Sequence, residues 1–360
     1  MMPEVLSVDG SAALDPGRWD LPASDFVRYY LVADRIFCFK GVDEPVLNLV
    51  HEFLRGYFFK PTNLSEAGAP PAHLIQLHKT IPPALPASDS GFEIEDGHCY
   101  TSDDQIVLEV NGSTIVVGPP EFNRTDVWLS QGTPVRHPLA LNNVILYAVQ
   151  AALRRAGLYQ FHAGCVLSDN DQGAILLVGD SGCGKSTLTA TLVRGGWNFV
   201  SDDNLVLCDS AAGIEAWALR RYFTFDEATL NACDLMTFKE SIGGRVPGKT
   251  EKFRFYAPVA FPGKFVETCL PGAILFPTIS SEPRSRIEPL TQGDALARLI
   301  RQCPWATCDA AAAPLHLQVL SKLARQTRSY TLFASRDIFE NPASIPGLIA
   351  QQVEILSNPQ

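Results

Sequence analysis

The chain has 360 residues, 46% of them hydrophobic and 19% charged, enough apolar material for a sizeable buried core and a length that suits two domains. A formal net charge of -10 without long Lys/Arg runs argues against nucleic acid or an anionic membrane as the main partner. No run approaches the roughly eighteen apolar residues of a membrane span, and the opening MMPEVLSVDG lacks the basic start and apolar stretch of a signal peptide, so a cytoplasmic protein is expected. The nine cysteines form no C-x-x-C pair and are expected to serve mostly as small buried apolar residues, not as a disulfide framework.

In chain order, Met1 to Ala23 carries no pattern and reads as a loosely held lead-in. Phe26 to Phe39 is rich in β-branched and aromatic residues on either side of Ala33-Asp34-Arg35, which predicts a hairpin. Pro45 to Phe59 places Val46, Leu47, Val50, Phe53 and Leu54 at helical spacing, with Pro45 suited to a first turn. A proline-rich stretch then encloses one short strand near Leu74 to Leu77. From Gly91 to Val117 the chain is β-rich, and Asn111-Gly112 between two alternating runs is a hairpin signal. These pieces predict a small α+β domain over residues 21–138, with a role in substrate recognition or oligomerisation. His51, His73, His78, His98 and His137 have no metal-ligand spacing and read as ordinary surface or satisfied buried residues.

Leu139 to Leu158 returns to helical periodicity and leads into a second domain, residues 139–356. Ala174 to Val178 has the composition of a buried strand and passes directly into Gly179-Asp-Ser-Gly-Cys-Gly-Lys-Ser186, which fits the phosphate-loop pattern G-x-x-x-x-G-K-[ST]. Gly179, Gly182 and Gly184 let successive N–H groups face inward around phosphate oxygens, a cradle completed by Asp180, Ser181 and Cys183. Lys185 is suited to the β- and γ-phosphates, the Ser186 hydroxyl to a Mg²⁺ ion, and Thr187 continues the nucleotide-binding segment into a helix ending at Gly195-Gly196. After a strand over Trp197 to Val200, Ser201-Asp202-Asp203 places paired carboxylates seventeen and eighteen residues beyond Lys185. One suits the metal and the other a proton, the two needs of phosphoryl transfer to a hydroxyl.

Further on, Leu205 to Leu207 and Ile214 to Leu219 predict a hairpin that ends at Arg220-Arg221. Gly243 to Arg254 reads as a basic, glycine-rich loop with Arg245, Lys249, Lys252 and Arg254. An apolar strand over Pro271 to Pro277, a helix over Thr291 to Arg301 capped by Thr291, a helix over Ala310 to Arg325, a strand over Tyr330 to Phe333 and a helix over Ile345 to Leu356 complete the pattern. A transporter-type ATPase would need an L-S-G-G-Q signature followed by an apolar strand ending in Asp-Glu; Ser241-Ile-Gly-Gly244 is the nearest fragment and lacks what should follow.

The order GDSGxGKS, helix, Gly, short strand and S-D-D, together with Phe161-His162-Ala163-Gly164 ahead of the phosphate-loop strand, resembles the HPr kinase/phosphorylase family. That family shares its core with the ATP-dependent phosphoenolpyruvate carboxykinases. The resemblance implies an α/β fold with a mixed sheet around the phosphate loop, preceded here by the small α+β domain. It implies ATP and Mg²⁺ as cofactors, Ser186 and Asp202 as metal ligands, and Asp203 as the group that takes the hydroxyl proton. His162 matches the family His near the γ-phosphate, and Lys252 and Arg254 match a basic segment that neutralises charge on the moving phosphoryl group. Ser186-Thr187-Leu188 stands where HPr kinases have Ser-Glu, which is similar to a looser group of related kinases that modify peptides. On that resemblance the acceptor is a hydroxyl, a Ser above all, of a peptide or small protein such as a lasso-type precursor peptide. A small-molecule kinase and a non-catalytic nucleotide-gated peptide-binding module remain as alternatives, and a homo-oligomer is compatible with the sequence.

Overall fold

The structure, a computed structural model, describes residues 26–64, 70–82, 91–94, 96–102, 105–130, 138–168, 173–220, 222–232, 244–246, 249–303 and 305–356, with the backbone alone at 102, 120, 138–140, 228–229, 232, 244–246, 249–252, 307–308, 339 and 342. The lead-in to Ala23, His137 and the side chain of Lys252 lie outside the described residues. The chain is an α/β protein with mixed sheets.

A nine-stranded sheet runs in the order Lys60–Thr62, Val27–Val32, Arg35–Lys40, His73–His78, Arg124–Trp128, Ser113–Val117, Gln105–Val110, Gly97–Ser102 and Gly91–Ile94. Both expected hairpins form. Their turns place Ala33 and Asp34 at φ 43° and 62°, and Asn111 and Gly112 at 49° and 74°, the paired left-handed conformation that matches strand twist. Helix Glu44–Leu54 is capped by Asp43, whose carboxylate accepts the Val46 amide at 3.0 Å. It stops before the expected Phe59 because Gly56 is a poor helix former and Phe58 N–H donates instead to Leu219 O at 2.9 Å. Helix Pro138–Arg155 leads into the C-terminal half, yet buries Val144, Ile145 and Ala148 in one cluster with Phe39, Ile75 and Ile115 of the nine-stranded sheet.

A six-stranded sheet carries the glycine-rich loop that follows Val178, in the order Asn198–Ser201, Ala163–Leu167, Ala174–Val178, Pro271–Ile279, Arg328–Ala334 and Arg286–Leu290. The strand Ala174–Val178 is buried on both faces, which is why its sequence is uninterrupted and apolar. Ile175 and Leu177 face Leu188 and Leu192 of helix Lys185–Arg194, while Leu176 and Val178 face Leu299 of helix Gln292–Arg301 and Leu320 and Leu323 of helix Ala313–Gln326. Thr291 caps its helix as expected, its side chain accepting the Asp294 amide at 3.2 Å. A four-stranded sheet, Leu158–Phe161, Leu205–Ser210, Gly213–Ala218 and Thr268–Cys269, packs against the same helices.

The basic stretch expected as a loop is instead largely strand: Gly244–Val246 and Lys249–Tyr256 pair, and the latter pairs with Tyr222–Asp226. Phe253 and Phe255 are buried with Phe223 and Phe225, the Phe223 and Phe255 rings stacking at 5.3 Å. This period-two burial outweighs the charged residues between them, which had disguised the strand. Among the described residues no helix is long and apolar enough to cross a membrane. Six of the seven described cysteines are buried free thiols.

Three of the described histidines of the N-terminal half meet polar neighbours: His51 faces the Tyr30 hydroxyl at 3.0 Å, His78 the Asp126 carboxylate at 2.6 Å, and His73 the Thr125 hydroxyl at 2.9 Å through one ring nitrogen, its Nδ1 having no hydrogen-bond partner among the described residues. Burial, with Arg155 nearby, pushes His73 from 6.5 down to about 4. The unfolded chain therefore takes up a proton near pH 6.5 that the folded chain refuses until about pH 4, so stability is present above pH 6.5 and lost as pH falls to 4. Urea titrations from pH 7 to pH 4 should show a decline to which His73 contributes on the order of 3 kcal/mol. His73→Gln should flatten that slope; an unchanged slope would contradict a neutral buried imidazole.

Candidate functional site

Ala163–Leu167 is antiparallel to both of its neighbours, with Ala163 opposite Val178 and Cys165 opposite Ser201. His162, Gly179 and Asp202 therefore leave the sheet at the same edge. The parallel neighbours Ala174–Val178 and Pro271–Ile279 also end there, the usual position of a ligand crevice in an α/β sheet.

The loop from Gly179 to Gly184 has the features of an anion cradle. Gly182 and Gly184 have φ 84° and 96°, and a Cβ on either would meet nothing within 4 Å, so the space in front of the loop is open. Helix Lys185–Arg194 begins at Gly184 with no side-chain cap, leaving its first amides directed at that space. Gly179 is a glycine for a different reason: a Cβ there would stand 2.9 Å from Cys183 Sγ. Burial pushes the Cys183 thiol up, which keeps it protonated. Lys185 Nζ donates to Gly179 O at 2.7 Å and Asp180 O at 3.0 Å, so the loop itself holds the ammonium in place and leaves its third N–H for a phosphate oxygen. Asp180 points away from the cradle and accepts Gln302 Nε2–H at 2.7 Å. Ser186 and Thr187 occupy the first helical turn, both half-buried.

The two aspartates have opposite surroundings. Asp202 is 3% exposed and accepts the Thr224 amide at 3.1 Å. Burial, with the charge of Asp203, raises its carboxyl to about 7. Asp203 is about one-third exposed; its Oδ1 lies 3.0 Å from His162 Nδ1 and its Oδ2 accepts from Arg220 Nη1 at 3.3 Å. The carboxylate thus stands beside the imidazole as its ion-pair partner. A Cβ on Gly164 would lie 2.7 Å from Thr189 Oγ1 and 3.4 Å from Asp202 O, which places the Asp202 backbone against the phosphate-loop helix.

Arg220 was legible only as the end of a hairpin, yet it is the cation that meets Asp203. It sits with Tyr57 and Tyr222 in a cluster that also includes Arg254, whose guanidinium lies 4.2 Å from the centre of the Tyr222 ring. Strand pairing sets Arg254 opposite Thr224, the residue whose amide holds Asp202. Lys252 lies opposite Asp226, two pairs further along the same strand. Tyr57, Thr224 and Gln302 gave no sequence signal, because each is brought in from a remote segment.

The residues fit a nucleotide phosphate and a hard cation. The cradle is open, its helix uncapped and one Lys185 donor unused, and Ser186 and Asp202 offer the oxygen donors that Mg²⁺ prefers.

No protein-family model matches the chain, and no curated protein matches it. Among solved structures the chain is similar to the Hpr(Ser) kinase/phosphatase from Coxiella burnetii, with 13% identity over 53% of this chain and 94% of that one and a TM-score of 0.27.

The raised Asp202 carboxyl carries a sign. The folded chain keeps a proton there from about pH 4 to pH 7 that the unfolded chain has released, so this group's contribution is full below pH 4 and lost as pH rises through 7. Relative to wild type, metal-free Asp202→Asn should gain on the order of 4 kcal/mol of stability between pH 4 and pH 8. Denaturant midpoints of both proteins at the two pH values measure it, and parallel curves would refute the assignment.

Proposed function

We propose that the protein is an ATP- and Mg²⁺-dependent phosphotransferase, related to HPr kinase, that phosphorylates a hydroxyl. The observation that carries this reading is the convergence at one sheet edge of an open phosphate loop with a solvent-facing Asp203 held between His162 and Arg220. The loop amides and the third N–H of Lys185 bind the β- and γ-phosphates. Mg²⁺, when bound by Ser186 and Asp202, supplies neutralisation of phosphate charge. Asp203 keeps lone pairs beyond its two contacts and takes the proton of the acceptor hydroxyl, while His162 beside it holds the carboxylate in place. Arg220 and Arg254 place positive charge beside the acidic doublet.

The resemblance to peptide-modifying kinases supports a peptide or small-protein acceptor. A different observation favours a small-molecule acceptor: a cavity of about 180 Å³ lies against His162.

Asp203→Asn should retain ATP binding and lower the rate of phosphoryl transfer by roughly 10²–10⁴. Lys185→Met should weaken nucleotide binding roughly tenfold or more, as loss of a charge-assisted contact does. Nucleotide titration by fluorescence and release of ADP measure the two effects. Full biological function in Asp203→Asn would instead identify a nucleotide-gated binding module.

A further inference from the structure

The cavity that touches His162 is built from elements the phosphate loop does not use. Arg154 comes from helix Pro138–Arg155, Gln160 from strand Leu158–Phe161, Gln302 and Trp305 from the turn after helix Gln292–Arg301, and His316 from helix Ala313–Gln326. Arg154 is 4% exposed and His316 2% exposed. Arg154 Nε and both ring nitrogens of His316 have no hydrogen-bond partner among the described residues. Buried polar atoms are almost always paired: Arg154 Nε faces Asp309 Oδ2 at 3.6 Å, whereas the two ring nitrogens of His316, a residue that lines the cavity, point to a bound polar molecule.

The chemistry of that molecule follows from the walls. Arg154 lies 3.6 Å from Asp309, too far for a hydrogen bond, and Asp309 is shared with Arg155 at 3.3 Å. The Arg154 guanidinium stacks 4.7 Å from the centre of the Trp305 ring, which fixes its plane, and among the described residues lining the cavity it is the one Arg or Lys, with no Asp or Glu among them, which suits an anion. His316 stacks on Tyr159 at 4.7 Å, and burial beside Arg154 lowers it to about 4, so the ring stays neutral and offers one donor and one acceptor. The volume of about 180 Å³ exceeds the roughly 150 Å³ that admits benzene, room for about seven or eight non-hydrogen atoms. Two hydrogen bonds tie the walls to the proposed reaction centre: Gln302 Nε2–H to Asp180 of the phosphate loop at 2.7 Å, and Gln160 Nε2–H to Asn204, next to Asp203, at 2.7 Å.

We propose that this cavity holds the phosphoryl acceptor and that the acceptor is a small hydroxylated carboxylic acid, its carboxylate on Arg154 and His316 and its hydroxyl turned toward His162 and Asp203. The proposal rests on the phosphotransferase reading. In the step, the acceptor oxygen forms a bond to the γ-phosphorus of ATP, and the bond from that phosphorus to the β,γ-bridging oxygen breaks. Its electron pair stays on ADP, and the hydroxyl proton passes to Asp203.

The test uses the full chain with a panel of hydroxy acids of three to five carbons, the matching alcohols without a carboxylate, and Ser-containing peptides. Calorimetry without nucleotide reads binding, and ADP release with ³¹P spectra of the products reads transfer. At least one hydroxy acid should bind, become phosphorylated and outpace its matching alcohol roughly tenfold or more. Arg154→Lys should raise its KM without changing ATP affinity. Because Arg154 is deeply buried, Gln150→Glu serves as a second variant: Gln150 also lines the cavity, is half-buried, and would bring an isosteric negative charge that abolishes acid binding while ATP binding persists. Peptide phosphorylation with no binding of any acid would overturn this proposal and leave the phosphotransferase reading intact. Acid binding that Gln150→Glu abolishes, without transfer to any acceptor, would overturn both the acceptor role and that reading, leaving a binding site alone.

Discussion

The arrangement depends on one constraint of strand direction. Because Ala163–Leu167 runs antiparallel between Ala174–Val178 and Asn198–Ser201, the outer two are parallel to each other and finish at the edge where the central strand begins. Backbone hydrogen bonding enforces this, and no side chain at the site contributes to it. A phosphate loop, an imidazole and an acidic doublet are thereby delivered to one place from three separate segments. A one-residue slip of the central strand would turn the residues of Ala163–Leu167 to the opposite faces and break the packing of both buried layers, so the geometry is as secure as the core beneath it.

Within that frame the two adjacent carboxylates differ because consecutive residues leaving a strand face opposite directions. Asp202 turns inward and loses water, and the Thr224 amide, its own backbone amide and the charge of Arg220 together do not offset burial beside Asp203, so its carboxyl is raised. Asp203 turns outward and meets His162 and Arg220. Desolvation governs the first and ion pairing the second, so one dipeptide supplies two different chemical groups. Arg220 completes the set from the end of the Gly213–Ala218 strand, and Arg254 is held over Tyr222 by the pairing of a strand that its charged residues disguise.

The proposed acceptor cavity belongs to a different layer. Its walls come from the helices covering the face of the six-stranded sheet opposite the phosphate-loop helix, and from the C-terminal end of helix Pro138–Arg155, which packs on the nine-stranded sheet. The Gln302–Asp180 and Gln160–Asn204 hydrogen bonds join this layer to the phosphate loop and to the acidic doublet.

The phosphate loop, its flanking strand and helix, the paired aspartates and the hairpin turns were legible in the sequence because each is a local pattern whose physics closes within a few residues. Asn111-Gly112 adopts the left-handed dihedrals of a tight hairpin at little cost, and the glycine spacing after an apolar strand is a local pattern readable without tertiary contacts. The basic stretch before Tyr256 misled because its burial is carried by Phe253 and Phe255 against strands far away in sequence. The meeting of Arg220 with Asp203, the inward turn of Asp202, and the cavity between Arg154 and His316 were decided only by tertiary structure. Each is a contact whose partners lie on separate elements, and its energy comes from desolvation and charge pairing that exist once the layers have packed.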